Sequence, residues 1–345
     1  MLLSSKEVGL VAIGRNVGER LRLCLSSACA QCELVVYVDS GSDDDSCQIA
    51  VELGAKVVRL DGQSVFTAAI ARNAGLDYLK SLPVSIEFVQ FLDGDCELSP
   101  GWCEQAVNFL KHNPQVALVC GRRRERFPHR NWYHEVVDIE WDTPVGEAKS
   151  CGGDAMFRMA ALRQVNGYRE TLIAGEEPEL CLRIRAAGWK VWRMDRDMTW
   201  HDINMSGFGQ WWKRTARSGY AYAEGAHLHG AAPERHCVKE LRSISLWGIL
   251  VPLIAFLLIW PTSGISLVAM LALYGLLFLK ILWYRIQSRG DSIGRASKYA
   301  FSCVISKFPQ AMGVMRTLLN RFTGTTDTLI EYQRPSMIAS DRSPT

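Results

Sequence analysis

Charge of one sign is the first thing this chain lacks. Its 345 residues carry a formal net charge of +3, with 22% charged positions, so no broad basic face and no nucleic-acid partner are expected. A disulfide framework is also missing. The eleven cysteines fall singly through apolar and helical stretches, which points to free thiols in a reducing cytoplasm. Cys29 and Cys32 have zinc-like spacing, but no second pair answers them, and they are expected to pack at a helix end. "MLLSSKEVGLVAIGRN" (1–16) holds no apolar stretch of signal-peptide length. Gly-x-Gly-x-x-Gly, Gly-Lys-Ser/Thr and His-Glu-x-x-His do not occur. Dehydrogenase, P-loop and zinc-hydrolase readings therefore lose their central motifs.

Long apolar runs are present only near the C-terminus. From Ile244 to Tyr284, 41 residues contain one charge, Lys280. The runs 244–260 and 265–284, of 17 and 20 residues, flank the turn Pro261-Thr262-Ser263-Gly264 and match the roughly 17–25 residues that cross a bilayer. Trp247, Trp260, Trp283 and Tyr284 lie near the run ends, where amphipathic rings favour the headgroup level. A two-span transmembrane hairpin is expected. Lys239 and Arg242 precede it, Arg285, Arg289, Arg295 and Lys298 follow it, and the turn is uncharged. That pattern puts both flanks on the cytoplasmic side of an inner membrane. Residues 293–322 interleave basic and apolar positions without an acidic one. They read as amphipathic interfacial helices on an anionic lipid face, interrupted at Pro309. From Glu331 onward a loose polar tail is expected.

Residues 1–235 alternate β-like and helical runs. Strand candidates are 8–13, 34–38, 56–60, 86–92 and 116–120, with helical patterns between them. This spacing predicts an α/β domain with a Rossmann-like, mainly parallel sheet covered on both faces. Such sheets bind ligands beyond the carboxyl ends of their strands. Asp39, after "VVYV", and the pair Asp93 and Asp95 in "FLDGD" should share that rim. Asp-x-Asp after an apolar strand is either a solvated Asp-Gly turn or a seat for a hard divalent cation.

The motifs "VVYVDSGSDDDS", "AIARNAGLDYLK", "FLDGD", "CGGDAMFRMAALRQVNGYRETL" and "GEEPELCLRIRAAGWKV" together resemble, in order, those of family 2 glycosyltransferases. The resemblance covers about residues 8–230. It implies a GT-A fold in 1–235, an inverting transfer from a UDP- or GDP-sugar, and Mn²⁺ or Mg²⁺ as cofactor. The region 236–345 resembles the membrane segments of members that build bacterial surface polysaccharides or glycolipids, which implies membrane lipids and a lipid-linked or membrane-bound acceptor as partners. A nucleotidyltransferase, and a non-catalytic scaffold of a polysaccharide assembly complex, are the alternatives.

By the same resemblance Asp39, Arg72, Asp93, Gly153 and Asp154 contact the donor, and Asp95 holds the cation with Asp93 and His201. Residue by residue, Asp39 could instead cap its own turn, Arg72 could be an exposed helix arginine, and His201 could be structural. Glu177 is the candidate base that takes the acceptor hydroxyl's proton. Glu176-Glu177 stands where the family has Glu-Asp, so the choice between the two rests on alignment, and Glu176 is expected to point elsewhere. Glu179 and Arg183 read as a surface i, i+4 pair. "GRRRERFPHR" (121–130) reads as a basic loop, either solvated or set against an acceptor pyrophosphate or the lipid surface. "FGQWWKR" (208–214) partly resembles the Gln-x-x-Arg-Trp motif of processive synthases. Gln210, Trp211 and Trp212 are its candidate sugar contacts, with core packing the alternative for the tryptophans.

Overall fold

The computed structural model describes residues 2–4, 7–60 and 66–324; the expected polar tail lies outside the described residues. Among them nine strands form one sheet. Five lie in the first half of the domain: β1 (Val8–Gly14), β2 (Leu34–Asp39), β3 (Lys56–Arg59), β4 (Phe88–Asp93) and β5 (Cys96–Leu98). The rest are β6 (Val116–Glu125), β7 (Gly146–Ala148), β8 (Ala155–Arg158) and β9 (Lys190–His201). The order is β3-β2-β1-β4-β8-β6-β9-β5, with β7 against β9. The β3-β2-β1-β4 half is parallel and β6 runs parallel to β9, while β8 is antiparallel to both of its neighbours. β1 is buried along its whole length, as a central parallel strand with apolar residues on both faces should be.

Helices α1 (Glu19–Cys29), α2 (Ser46–Glu52), α3 (Ala68–Ser81), α4 (Trp102–His112) and α5 (Trp132–Glu140) connect the strands, followed by α6 (Met159–Gln164) and α7 (Glu176–Ala186). Register then locates the rim. Gly14 at the end of β1 pairs with Asp39 of β2, and Ile13 pairs with Asp93 of β4. Both carboxylates therefore emerge at one edge, as the strand pattern predicts.

The stretch expected as a basic loop differs. Gly121–Glu125 continue β6. Its arginines find carboxylate partners, so charge does not end the strand. The short strands β5, β7 and β8, of three, three and four residues, carry too few positions for a period to show.

After β9 come α8 (Phe208–His229), α9 (Val238–Ser245), α10 (Val251–Leu257), α11 (Ile265–Arg289), α12 (Ile293–Ile305) and α13 (Lys307–Thr323). Val238–Leu257 and Ile265–Arg289 are long and apolar enough to cross a membrane, and their apolar side chains are largely exposed. Between α9 and α10 lies a π segment, Leu246–Leu250, in which the Val251 N–H bonds Leu246 O. The next donor in that pattern would be Pro252, which has none. Trp247 O accepts instead from the Tyr274 hydroxyl of α11 at 2.5 Å, tying the two helices together.

The C-terminal helices correct two expectations. The break falls at Ser306, and Pro309 sits in the first turn of α13, where its missing N–H is harmless. Three of their basic residues pair with carboxylates, Lys298 with Glu135 (2.6 Å), Arg295 with Asp138 (3.1 Å) and Arg321 with Glu224 (2.9 Å), while Arg316 is exposed. Phe301, Met312, Met315, Leu318, Leu319 and Phe322 face outward. α13 lies directly on α8, because a Cβ at Gly219 would overlap the Gln310 backbone and one at Gly313 the Ala216 backbone.

Candidate active site

Asp39 is buried, and its own turn uses both oxygens. Oδ2 accepts from the N–H groups of Gly41 (3.1 Å) and Ser42 (2.9 Å), and Oδ1 from the hydroxyls of Ser42 (2.5 Å) and Tyr37 (3.2 Å). The turn-capping alternative is thus present at this residue.

At the end of β4 a charge cluster forms around Arg72, which is 2% exposed and so no surface arginine. Its Nη2 meets Asp93 Oδ1 at 2.9 Å, and its Nη1 meets Glu176 Oε1 at 2.9 Å and Glu177 Oε1 at 3.2 Å. Both glutamates at the start of α7 therefore converge on one guanidinium, and Glu176 does not point elsewhere. Burial works against ionising Asp93, but Arg72 and Arg123 outweigh it and hold the carboxyl below its ordinary range. Glu177 goes the other way. Burial, and then the neighbouring Glu176, push it up to about 7 against the pull of Arg72.

Gly153 fits this cluster for a steric reason, since a Cβ there would overlap Arg72 Nη2 and both carboxylate oxygens of Asp93. Asp154 has no exposed surface. Its Oδ1 accepts from the Asp93 N–H (2.9 Å), and its Oδ2 from Thr199 Oγ1 (2.9 Å) and from Arg123 Nε and Nη2 (2.9 and 2.6 Å). Instead of facing a donor, Asp154 fixes the end of β4 and the guanidinium beside it. Arg123, whose Nη2 also reaches Asp93 Oδ2 at 2.9 Å, is the member of the site that motif reading missed. The signal was the continuation of "VALVC" into "GRRRE".

Asp95 Oδ2 lies 3.2 Å from His201 Nε2 and 3.6 Å from Arg20 Nη1. Burial opposes its ionisation, yet His201, Arg20 and Arg123 hold the carboxyl well below the usual carboxylate range. A carboxylate oxygen and an imidazole nitrogen that converge while the carboxylate stays ionised suit Mn²⁺ or Mg²⁺ as a donor set. Asp95 and His201 are the residues that fit such an ion. Asp93 is engaged by two arginines.

The 208–214 segment starts α8. Gln210 Oε1 accepts from the Ser206 (2.7 Å) and Gly207 (3.3 Å) N–H groups and caps the helix. Trp211 is 1% exposed and packs on Trp132 at 5.8 Å, so it presents no free face for a sugar. Trp212 is partly exposed beside Phe208. Glu179, expected on the surface, is buried against Arg169, Arg183 and His229. A cavity of about 630 Å³ lies between Glu176 and Glu177 on one side and α8, α12 and α13 on the other; Arg214, Tyr222, Tyr299 and Lys307 also line it.

The glycosyl transferase family 2 profile matches residues 11–164, the span that carries Asp39, Arg72, Asp93 and Asp95. The chain has a family 2 glycosyltransferase domain. A probable glucomannan 4-beta-mannosyltransferase of Arabidopsis thaliana is 27% identical to it over 203 residues, 51% of this chain and 36% of that protein. A pre-mycofactocin glycosyltransferase of Mycobacterium tuberculosis is 28% identical over 203 residues, 54% of this chain and 41% of that protein. The chain thus spans only about a third to a half of the length of these curated relatives. A mannosyltransferase from Pyrobaculum calidifontis, solved with GDP-Man and Mn²⁺, superposes with a TM-score of 0.59 at 16% identity, covering 91% of this chain and 88% of that one. The fold of the family 2 domain is GT-A, with the C-terminal helices following it.

Proposed function

We propose that this chain is an inverting hexosyltransferase that moves a sugar from a nucleotide-diphosphate donor to an acceptor presented at a membrane, with its family 2 domain on the cytoplasmic side. The observation that carries the reading is Glu177. It is a carboxyl raised to about 7, it lines a cavity between the family 2 domain and the C-terminal helices, and it shares Arg72 with Asp93. A carboxylate that protonates near neutral pH is suited to accept the proton of an attacking hydroxyl. Arg72 reaches Asp93 through Nη2 and Glu177 through Nη1, so one planar guanidinium ties the proposed base to the proposed donor end. Asp95 and His201 would hold the divalent ion, which when bound stabilises negative charge on the departing diphosphate. Asp39 and the β1–β2 rim are the proposed nucleotide side.

The 630 Å³ cavity is the proposed acceptor entrance, because it opens between the base and the helices that adjoin the two candidate spans. GDP-mannose is the first donor to try, given the mannosyltransferase names among the relatives, with UDP-sugars second. A lipid-linked acceptor for surface polysaccharide or glycolipid synthesis is the proposed setting. The test is turnover and donor binding by the purified chain in detergent with Mn²⁺ and a membrane extract as acceptor. Asp95→Ala should lose metal-dependent donor binding while keeping its melting temperature. Glu177→Gln should keep donor binding and lose turnover by about 10²–10⁴-fold. Wild-type chain that binds donor and metal but turns over none, with extracts from several membranes, would favour a scaffold. Full turnover in Glu177→Gln would move the base elsewhere.

A further inference from the structure

A second charged cavity lies behind the catalytic cluster. Its volume is about 540 Å³, and five arginines face three aspartates across it. Most of the imbalance centres on Asp142, whose Oδ1 is shared by Arg122, by Arg193 Nη2 at 3.7 Å and by Arg289 Nη2 at 3.7 Å. Arg122 also binds Asp138 at 3.0 Å, but Asp138 is already shared with Arg295 at 3.1 Å. Arg124 is neutralised by Asp197 at 2.7 Å.

Two of these guanidiniums are more than nine-tenths buried, Arg193 at 2% and Arg122 at 8% exposure, and each leaves its Nε–H without a partner. Buried donors of a cation are rarely left unmatched, because their desolvation is not repaid. Burial, with Arg122 adding to it, lowers Arg193 from its ordinary value against the pull of Asp142 and Asp195, whereas burial of Arg122 is outweighed by Asp142 and Asp138, which raise it. The site is also shaped. β9 carries extra residues between Arg193 and Asp197 relative to β6, and this bulge brings Arg196 to the rim.

We propose that this cavity binds a phosphate group. Guanidinium forks match phosphate oxygens in pairs, and a phosphate in the cavity would offset the surplus of positive charge among the arginines that line it. The group could be carried by a phospholipid or be free. Arg289 closes α11, the second candidate span, which favours a headgroup approaching from the bilayer interface. The cavity backs onto the catalytic cluster through neighbours in sequence. Arg123 beside Arg122 reaches Asp93 and Asp154, and Trp141 beside Asp142 packs on His201 at 5.1 Å.

The experiment uses the full chain in detergent with EDTA, so that cation-dependent donor binding is silent. Inorganic phosphate should raise the wild-type melting temperature in a saturable way. Arg193→Gln should weaken that response about tenfold, the usual loss for one charge-assisted contact. Arg196→Gln, at an exposed rim position, should weaken it less while melting like wild type without phosphate, and so decides the matter should Arg193→Gln fail to fold. Asp95→Asn should leave the response intact. In the second arm the chain is placed in phosphatidylcholine vesicles with or without phosphatidate. Retention of phosphatidate that Arg196→Gln reduces, with no response to inorganic phosphate, identifies the lipid as the source. A chain that responds to neither probe overturns the site. So does a response that is unchanged in both arginine variants, or one abolished by Asp95→Asn.

Discussion

Arg72 joins three carboxylates that would otherwise repel one another, and this single guanidinium sets the chemistry at the residue scale. Asp93, Glu176 and Glu177 all reach it within 3.2 Å. Arg72→Met would leave that buried negative charge unmatched, at a cost of about 3–5 kcal/mol, read as a large fall in denaturation midpoint. Glu177 offers a sharper test. Its carboxyl ionises near 7 in the folded chain against an ordinary 4.5. The base form therefore grows as pH rises through about 7, and kcat/KM should climb over that window and level off above it. Glu177→Gln should flatten the limb as well as lower the rate. The same shift has a stability sign. Between 4.5 and 7 the folded chain holds a proton that the unfolded chain has lost, so this group's contribution is fully present below 4.5 and is lost as pH rises through 7. A wild-type profile flat from pH 6 to 8 would separate Glu177 from the proton transfer.

Among the elements, the contact of α13 on α8 depends on what its residues omit. Gly219 and Gly313 let two backbones approach where any Cβ would collide with main chain. Gly313→Leu should cost about 1–3 kcal/mol by overpacking. The loss should concentrate in α13, read as faster amide exchange there than in the β1–β4 core. Uniform exchange changes across both would mean that α13 and the sheet unfold as one unit. The Tyr274 hydroxyl on Trp247 O is a smaller device. Tyr274→Phe removes one hydrogen bond to a carbonyl that Pro252 cannot serve, and about 1 kcal/mol of loss is expected, measured as a drop in melting temperature in detergent.

At the scale of the molecule, a family 2 domain carries Asp95, His201 and Glu177, the proposed cation pair and base, and a pair of long apolar helices follows α8. Helices of 20 and 25 residues span roughly 30 and 37 Å at 1.5 Å per residue, enough for a hydrocarbon core. With basic residues on both flanks and none in the turn, both flanks should be cytoplasmic. A reporter inserted at Ser263 should then signal outside, and one fused after the final residue should signal inside. The opposite signal from the terminal fusion would break the hairpin topology, and with it the acceptor entrance proposed beside Glu177.

The chain's order alone determined the parallel half of the sheet, because β1, β2 and β4 are apolar runs that end in the residues of the rim. It also located the two long apolar helices, since a run of that length is legible without partners. The Asp-x-Asp pair and the glutamates of α7 were legible as motifs. Tertiary structure decided what the charged residues do. Arg72 looked like one more helix cation until α3 met α7 and β4. Arg123 looked like part of a loop until β6 paired with β9, and Trp211 offered a sugar platform until Trp132 covered it. Arg295, Lys298 and Arg321 of α12 and α13 looked bound for lipid, and their partners turned out to be carboxylates of α5 and α8. Apolar periodicity is a local property that the sequence displays directly. The partner of a charge is settled only by which distant segments the fold brings within a few ångströms.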